Sequence, residues 1–153
     1  MQGHFYRCAR NERTLALRKK MNGSKMEVRD GLWYTEEHEW ARIEDNIAVV
    51  GITDYAQKEL RNVVFVKLPE VGDRLTFQKD LGYVESTKSV NVVHSPVSGE
   101  VIQVNSKLEE SPELVNSDPY GEGWMVKIKM SDKNELSQLF NGREYSELMD
   151  HLV

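Results

Sequence analysis

A chain of 153 residues defaults to a single domain, long enough to bury a core without disulfide or metal staples. With 29% charged and 39% hydrophobic residues it has an ordinary globular composition, no apolar run approaches the length of a membrane span, and a lone cysteine, Cys8, excludes an internal disulfide or a Cys–Cys metal site, as suits a reducing compartment. Residues 1–25 carry seven cations against Glu12, a net +6, while the whole chain is −5; the −11 left on residues 26–153 argues against nucleic acid as a partner.

The leader, residues 1–25, is rich in arginine and poor in acids. That fits either a transit peptide or an extension, flexible or processed, upstream of a start at Met21 or Met26. No serine precedes Ser24, which favours the extension. Residues 26–153 then form the working domain.

From about Trp33 short strand signals follow one another closely. Trp40 to Ile43 and Ile47 to Ile52 flank Glu44-Asp45-Asn46, a hairpin turn. Asp54 opens a short helix, with Asp54 and Gln57 spaced as a capping pair and Leu60 near the end. Val63 to Val66 is a buried-strand pattern closed by the turn Leu68 to Asp73. Arg74 to Phe77 and Leu81 to Glu85 follow as strands, then Val90 to Ser95, a turn at Pro96 to Gly99, and Glu100 to Val104. Gly123 to Met130 alternates Trp124, Val126, Ile128 and Met130 on one face, as a half-buried strand does. Lys133 to Leu139 and Arg143 to Leu152 read as two short amphipathic helices. The sum is a mainly β fold, a small sandwich or barrel with short terminal helices.

Between two of these strands lies the most informative stretch, Gly82 to Val90. Ser86, Thr87 and Ser89 are small and polar, and β-favouring runs flank them, so Lys88 stands at the tip of a tight hairpin. An amine held clear on a stiff turn is what a modifying enzyme can reach. Taken alone, a hairpin lysine is most often an ordinary solvated one.

Other signals carry less. His38-Glu39 begins like a metalloprotease helix, but the second histidine position is Arg42, so no zinc pair forms. Gly121-Glu122-Gly123 lacks the later glycine of a dinucleotide fingerprint and is a turn. His38 and His94 read as packed or surface histidines, and Trp33, Trp40 and Trp124 as core and edge packing. No serine stands in a nucleophile elbow, so the chain offers no independent enzyme site.

Motifs in a fixed order change the weight of Lys88. They run Tyr34 to Trp40 (YTEEHEW), Gly51 to Gln57 (GITDYAQ), Val64 to Pro69 (VFVKLP) and Val84 to Lys88 (VESTK). Ser95 to Val101 (SPVSGEV), Asn105, Glu113 to Asn116 (ELVN) and Pro119 to Trp124 (PYGEGW) complete the series. In that order and spacing, over roughly residues 32–150, the chain resembles the H-protein family of the glycine cleavage system.

The resemblance implies a lipoyl/biotinyl-type barrel-sandwich hybrid, a flattened β barrel of two sheets. It implies lipoic acid covalently attached to Lys88, with Glu85 and Ser86 beside it and Glu85 as a recognition mark for the attaching enzyme. Biotin carriers of this fold usually set their lysine between methionines, whereas Thr87 and Ser89 flank this one. The family has no turnover of its own: it shuttles the aminomethyl group of glycine from the decarboxylating P-protein to the T-protein, and the L-protein, dihydrolipoamide dehydrogenase, reoxidises the arm. A lipoate ligase or an octanoyl or lipoyl transferase loads it. The resemblance further implies a monomer, no membrane, and a bacterial cytoplasmic setting, or a mitochondrial one if residues 1–25 are a transit peptide.

The cargo is a primary ammonium, and a sheltered cation needs carboxylates. In the family the glutamate of the His-Glu-Trp motif serves, and Glu39 matches it. A second carboxylate usually lies four residues after the lipoyl lysine, where this chain has Val92; Asn91 does not replace it, because neighbouring strand residues point to opposite faces. Arg61-Asn62, where glycine and an acid are usual, and Lys67, where an acid is usual, depart as well. These departures leave a second reading open, an H-like lipoate-binding protein of another pathway such as bacterial heterodisulfide-reductase-like sulfur oxidation, which has no aminomethyl cation to hold.

Overall fold

The computed structural model describes residues 26–152, so the basic leader and Cys8 lie outside the described residues. Two antiparallel sheets face each other, as expected of a barrel-sandwich. The first contains β1 (Trp33–Tyr34), β2 (Glu39–Glu44), β3 (Ile47–Ile52), β5 (Arg74–Leu75), β8 (Gly99–Val104) and β9 (Val126–Met130), in the order β1-β2-β3-β9-β8-β5. The second is β4 (Val63–Lys67), β6 (Asp80–Ser86) and β7 (Val90–His94), in the order β4-β6-β7. Helix α1 (Asp54–Leu60) follows β3, α2 (Lys107–Glu110) and α3 (Leu114–Ser117) lie between β8 and β9, and α4 (Gly142–Leu152) closes the described chain.

Alternation decides which residues fill the space between the sheets. Ala41, Val50, Val101 and Ile128 of the larger sheet join Val66, Val84 and Val93 of the smaller one in a single buried cluster. A second cluster packs Tyr34, Trp40, Tyr120, Tyr145 and Met149 under α4, with the Tyr34 and Tyr145 rings stacked at 4.3 Å. Trp40 is fully buried and lies across the ladder from Gly51. A Cβ at Gly51 would come within 2.8 Å of the Trp40 ring, so the indole occupies the place of the missing side chain.

Several expectations need correction. The N-cap of α1 is Thr53, whose hydroxyl accepts the Ala56 N–H at 3.2 Å, while Asp54 instead receives the Gln57 amide at 2.8 Å inside the helix. Val63–Val66 is no continuously buried strand: a register shift between Val63 and Phe65 leaves Val64 and Phe65 51% and 42% exposed. The Arg74–Phe77 strand stops at Leu75, and the strand through Trp124 begins only at Val126 because Gly121 to Trp124 close a turn on Asp118. Lys133–Gln138 winds as a 3-10 helix capped by Asp132. Helices α2 and α3, four residues each, are too short to give a 3.6-residue pattern in the sequence.

Candidate functional site

The β6–β7 hairpin turns on three residues, Thr87, Lys88 and Ser89, with Glu85 paired to Val90 just behind them. Ser86 is buried and its Oγ accepts the backbone N–H of both Lys88 and Ser89 at 3.0 Å. Its own N–H donates to the Ser89 carbonyl at 2.8 Å, and Thr87 N donates to the Asn62 carbonyl at 3.1 Å. A serine in this place substitutes its side chain for backbone partners that a three-residue loop lacks. Lys88 is exposed on this braced turn, with Nζ 3.4 Å from the Glu59 carbonyl in the last turn of α1. The tip position expected from the sequence is therefore observed.

Beneath Lys88 opens a groove of about 380 Å³. Lys88, Ser89 and Asn91 line it from the hairpin, Tyr55, Ala56, Glu59 and Leu60 from α1, Glu37 and His38 from the turn before β2, and Glu39 from its first position. Ile52, Val84 and Val93 supply apolar wall. Glu39, distant in sequence from Lys88 and Val92, thus borders one cavity with them. Glu85 and Ser86 do not: Glu85 shares the outer face with Phe65 and Val90, and Ser86 is spent on the turn.

Glu39 is the unusual group of this groove, a carboxylate only 2% exposed. Its Oε1 accepts the Thr35 hydroxyl at 2.5 Å and its Oε2 accepts the His94 backbone N–H at 3.0 Å. Burial nevertheless pushes the carboxyl above its usual range, the two donors and His94 pulling the other way. Thr35, four residues before Glu39, also caps the turn by accepting the Glu37 and Glu39 N–H groups. His38 packs as expected: its ring lies 4.5 Å from that of Tyr55, its Nδ1 is 2.9 Å from the Tyr145 hydroxyl, and burial lowers its pKa.

Glu59 and Tyr145 lie in none of the quoted motifs and Thr35 stands in one without an assigned role, so reasoning from sequence passed over their part in the site. Thr35 alone left a signal, a hydroxyl at an i, i+4 spacing from a buried acid. The departures become local in the structure. Lys67, Tyr83 and Val92 form one cross-strand row on the outer face of the small sheet, while Asn91 faces Val84 on the other side, as alternation requires. Arg61 ends α1 at φ 69 and ψ −141, a backbone state natural to glycine.

The site suits a lipoyl group. An exposed primary amine can form the amide, the groove offers the volume and apolar wall that a short alkyl chain and a dithiolane ring need, and Glu39 offers a carboxylate for a cation. No helix among the described residues is long and apolar enough to cross a membrane.

The sequence profile of the family described as "Glycine cleavage H-protein" matches residues 32–152. The chain is 47% identical over 127 residues to the glycine cleavage system H protein of Halothermothrix orenii, covering 83% of this chain and 99% of that one. It is 50% identical over 116 residues to the H protein of Staphylococcus epidermidis, covering 76% and 92%. Among solved structures, a glycine cleavage system H protein from Mycobacterium marinum superposes with a TM-score of 0.75 at 33% identity, over 80% of this chain and 99% of that one.

Proposed function

The chain belongs to the glycine cleavage H-protein family, and from that premise we propose that Lys88 is its lipoyl attachment site and Glu39 the carboxylate that meets the cargo. The family is the non-catalytic lipoyl carrier of the glycine cleavage system, working with its P-, T- and L-proteins, and Val92 and Lys67 are substitutions within that family. One observation carries the assignment: Lys88, exposed on a turn braced by Ser86, borders the same groove as the buried carboxyl of Glu39.

When bound, the lipoyl group supplies a redox-active disulfide at the end of a flexible arm. The chain's own residues do the rest. The Ser86 turn fixes the root of the arm while leaving the amine open to the attaching enzyme. Ile52, Ala56, Leu60, Val84 and Val93 give the arm an apolar resting place and exclude water from it. Glu39 holds a primary ammonium by charge in a poorly hydrated site, where an ion pair is stronger than in water. Tethering then raises the local concentration of the arm's end at each partner. Glu85, on the outer face one residue before Ser86, is offered to the attaching ligase or transferase as a recognition contact. The carrier acts as a monomer in this reading.

The test is intact mass after incubation with lipoate, ATP and a ligase. One lipoyl adduct on the full chain, absent from Lys88→Arg, is the expected result. An adduct that persists in Lys88→Arg places the site elsewhere. For the cargo role, lipoylated wild type supports glycine–bicarbonate exchange with a P-protein, and Glu39→Gln loses at least about tenfold, as removal of a buried charge partner does.

A further inference from the structure

On its far side from the arm groove, Glu39 also borders a second cavity of about 360 Å³, which His94 lines together with Thr35, Gln78 and Ser95. The carboxyl is therefore part of the wall between the two. His94 Nδ1 lies 3.6 Å from Glu39 Oε2, and it is buried without a hydrogen-bond partner among the described residues. The other ring nitrogen, Nε2, is 3.9 Å from the Asp80 carboxylate at the start of β6. We propose that Glu39 and His94 form a proton relay through this wall, by which Glu39 gives up its proton into the second cavity when a primary ammonium enters the arm groove. The proposal rests on the reading of Glu39 as the carboxylate that meets the cargo.

The oxygens of Glu39 are not equivalent. Oε1 is committed to the Thr35 hydroxyl, whose single proton has no other use, since Thr35 Oγ1 already accepts two backbone N–H groups. Oε2 accepts the His94 backbone N–H at 3.0 Å and also faces the His94 ring, so a proton passed to the ring leaves from Oε2. A ring nitrogen buried without a partner is a poor resting state and a ready acceptor. A separation of 3.6 Å needs only a small closure to become a hydrogen bond, and proton-transfer contacts are commonly long before the ligand is bound.

The step balances. The Oε2–H bond of Glu39 breaks and an N–H bond forms at His94 Nδ1; the imidazolium then releases its Nε2 proton toward Asp80 and solvent. One cation enters the groove and one proton leaves by the other side, so the groove ends with a carboxylate facing an ammonium and no excess charge. Without such an exit, the proton would have to leave past the incoming cation through the same mouth. The charged groups around His94 are Glu36 and Glu37 of the turn before β2, Glu39 itself and Asp80 across the ladder; Glu37 borders both cavities, and no lysine or arginine lines the second.

The experiment is a side-chain NMR titration of the full, unlipoylated chain, following the Glu39 carboxyl carbon. The two groups are coupled, and the ring acts to lower the carboxyl, so His94→Asn raises the Glu39 midpoint. This variant keeps the backbone N–H that bonds Oε2, so it isolates the ring. In the lipoylated chain, His94→Asn also displaces the acid limb of the rate–pH profile of glycine–bicarbonate exchange. A Glu39 resonance indifferent to His94→Asn overturns the relay. That titration does not depend on the arm, so a failed relay stays distinct from a failed cargo role, which the exchange rate of Glu39→Gln reports.

Discussion

The Oγ atom of Ser86 lies 3.0 Å from the backbone nitrogen of Lys88, so the side chain two residues earlier sets the backbone that presents the amine. The same hydroxyl receives the Ser89 N–H and donates back to the Ser89 carbonyl at 3.2 Å. One buried oxygen thus pins the whole tip, while the lysine side chain stays in solvent. Accessibility and placement, which usually oppose each other in a loop, are separated here between two residues.

Ser86→Ala strips two loop N–H groups of their acceptor without disturbing the flanking ladder. The expected loss is about 1 kcal/mol of unfolding free energy in urea, the usual net value of such bonds. Lipoylation at limiting ligase slows several-fold because the amine is no longer held in one place, and intact mass against time measures it. An unchanged rate with reduced stability would separate the turn from recognition.

The hairpin and its lysine were legible because both rest on local chemistry: β-favouring runs, small polar residues and a serine two before the lysine. The edges of that legibility are also local. Thr53 rather than Asp54 caps α1 because the hydroxyl one position earlier reaches the Ala56 N–H, a choice of backbone angle that residue spacing does not reveal. The exposure of Val64 and Phe65 depends on an irregular register with β6, a relation between strands rather than a property of either. The surroundings of Glu39 were least visible. Its contact with His94 spans 55 residues and joins the two sheets, and nothing in either local pattern announces it.

Arg61 offers a test of stored strain. At φ 69 and ψ −141 it occupies a region that side chains with a Cβ avoid, yet its backbone is well used: the N–H donates to the Gln57 carbonyl and the carbonyl accepts the Asn116 amide. Arg61→Gly keeps both bonds and relieves the clash. The expected gain is about 1 kcal/mol, at the low end for such conformations because glycine also loosens the unfolded chain. A rise in the urea midpoint at constant slope would show it; a fall would mean that the arginine side chain contributes more than the strain removes.

Tyr145 connects α4 to the groove wall. Its hydroxyl is 2.9 Å from both Thr53 Oγ1 and His38 Nδ1, and burial raises the phenol far above its usual range, so it stays a neutral donor. Tyr145→Phe leaves a half-buried histidine nitrogen and a buried hydroxyl without that partner, for an expected loss of about 2 kcal/mol. The loss is read as a lower urea midpoint at constant slope. An unchanged urea midpoint counts against these bonds.

Glu39 gives the pH signature with the least ambiguity of sign. Burial holds its folded pKa above the unfolded value, so between the two the folded state binds more protons. Stability then declines as pH rises from about 4, near the unfolded carboxyl value, and stays lower beyond the folded pKa. Glutamine at this position cannot titrate, yet its amide oxygen can still accept from Thr35 or from the His94 N–H. The difference in unfolding free energy between Glu39→Gln and wild type therefore moves in favour of the variant on going from about pH 4 to neutrality. Acid unfolding of the rest of the chain is common to both and cancels. Paired urea titrations across that range measure the difference, and a gap that is constant, or that moves toward wild type, would show that the Thr35 and His94 donors outweigh burial and hold this carboxyl ionised.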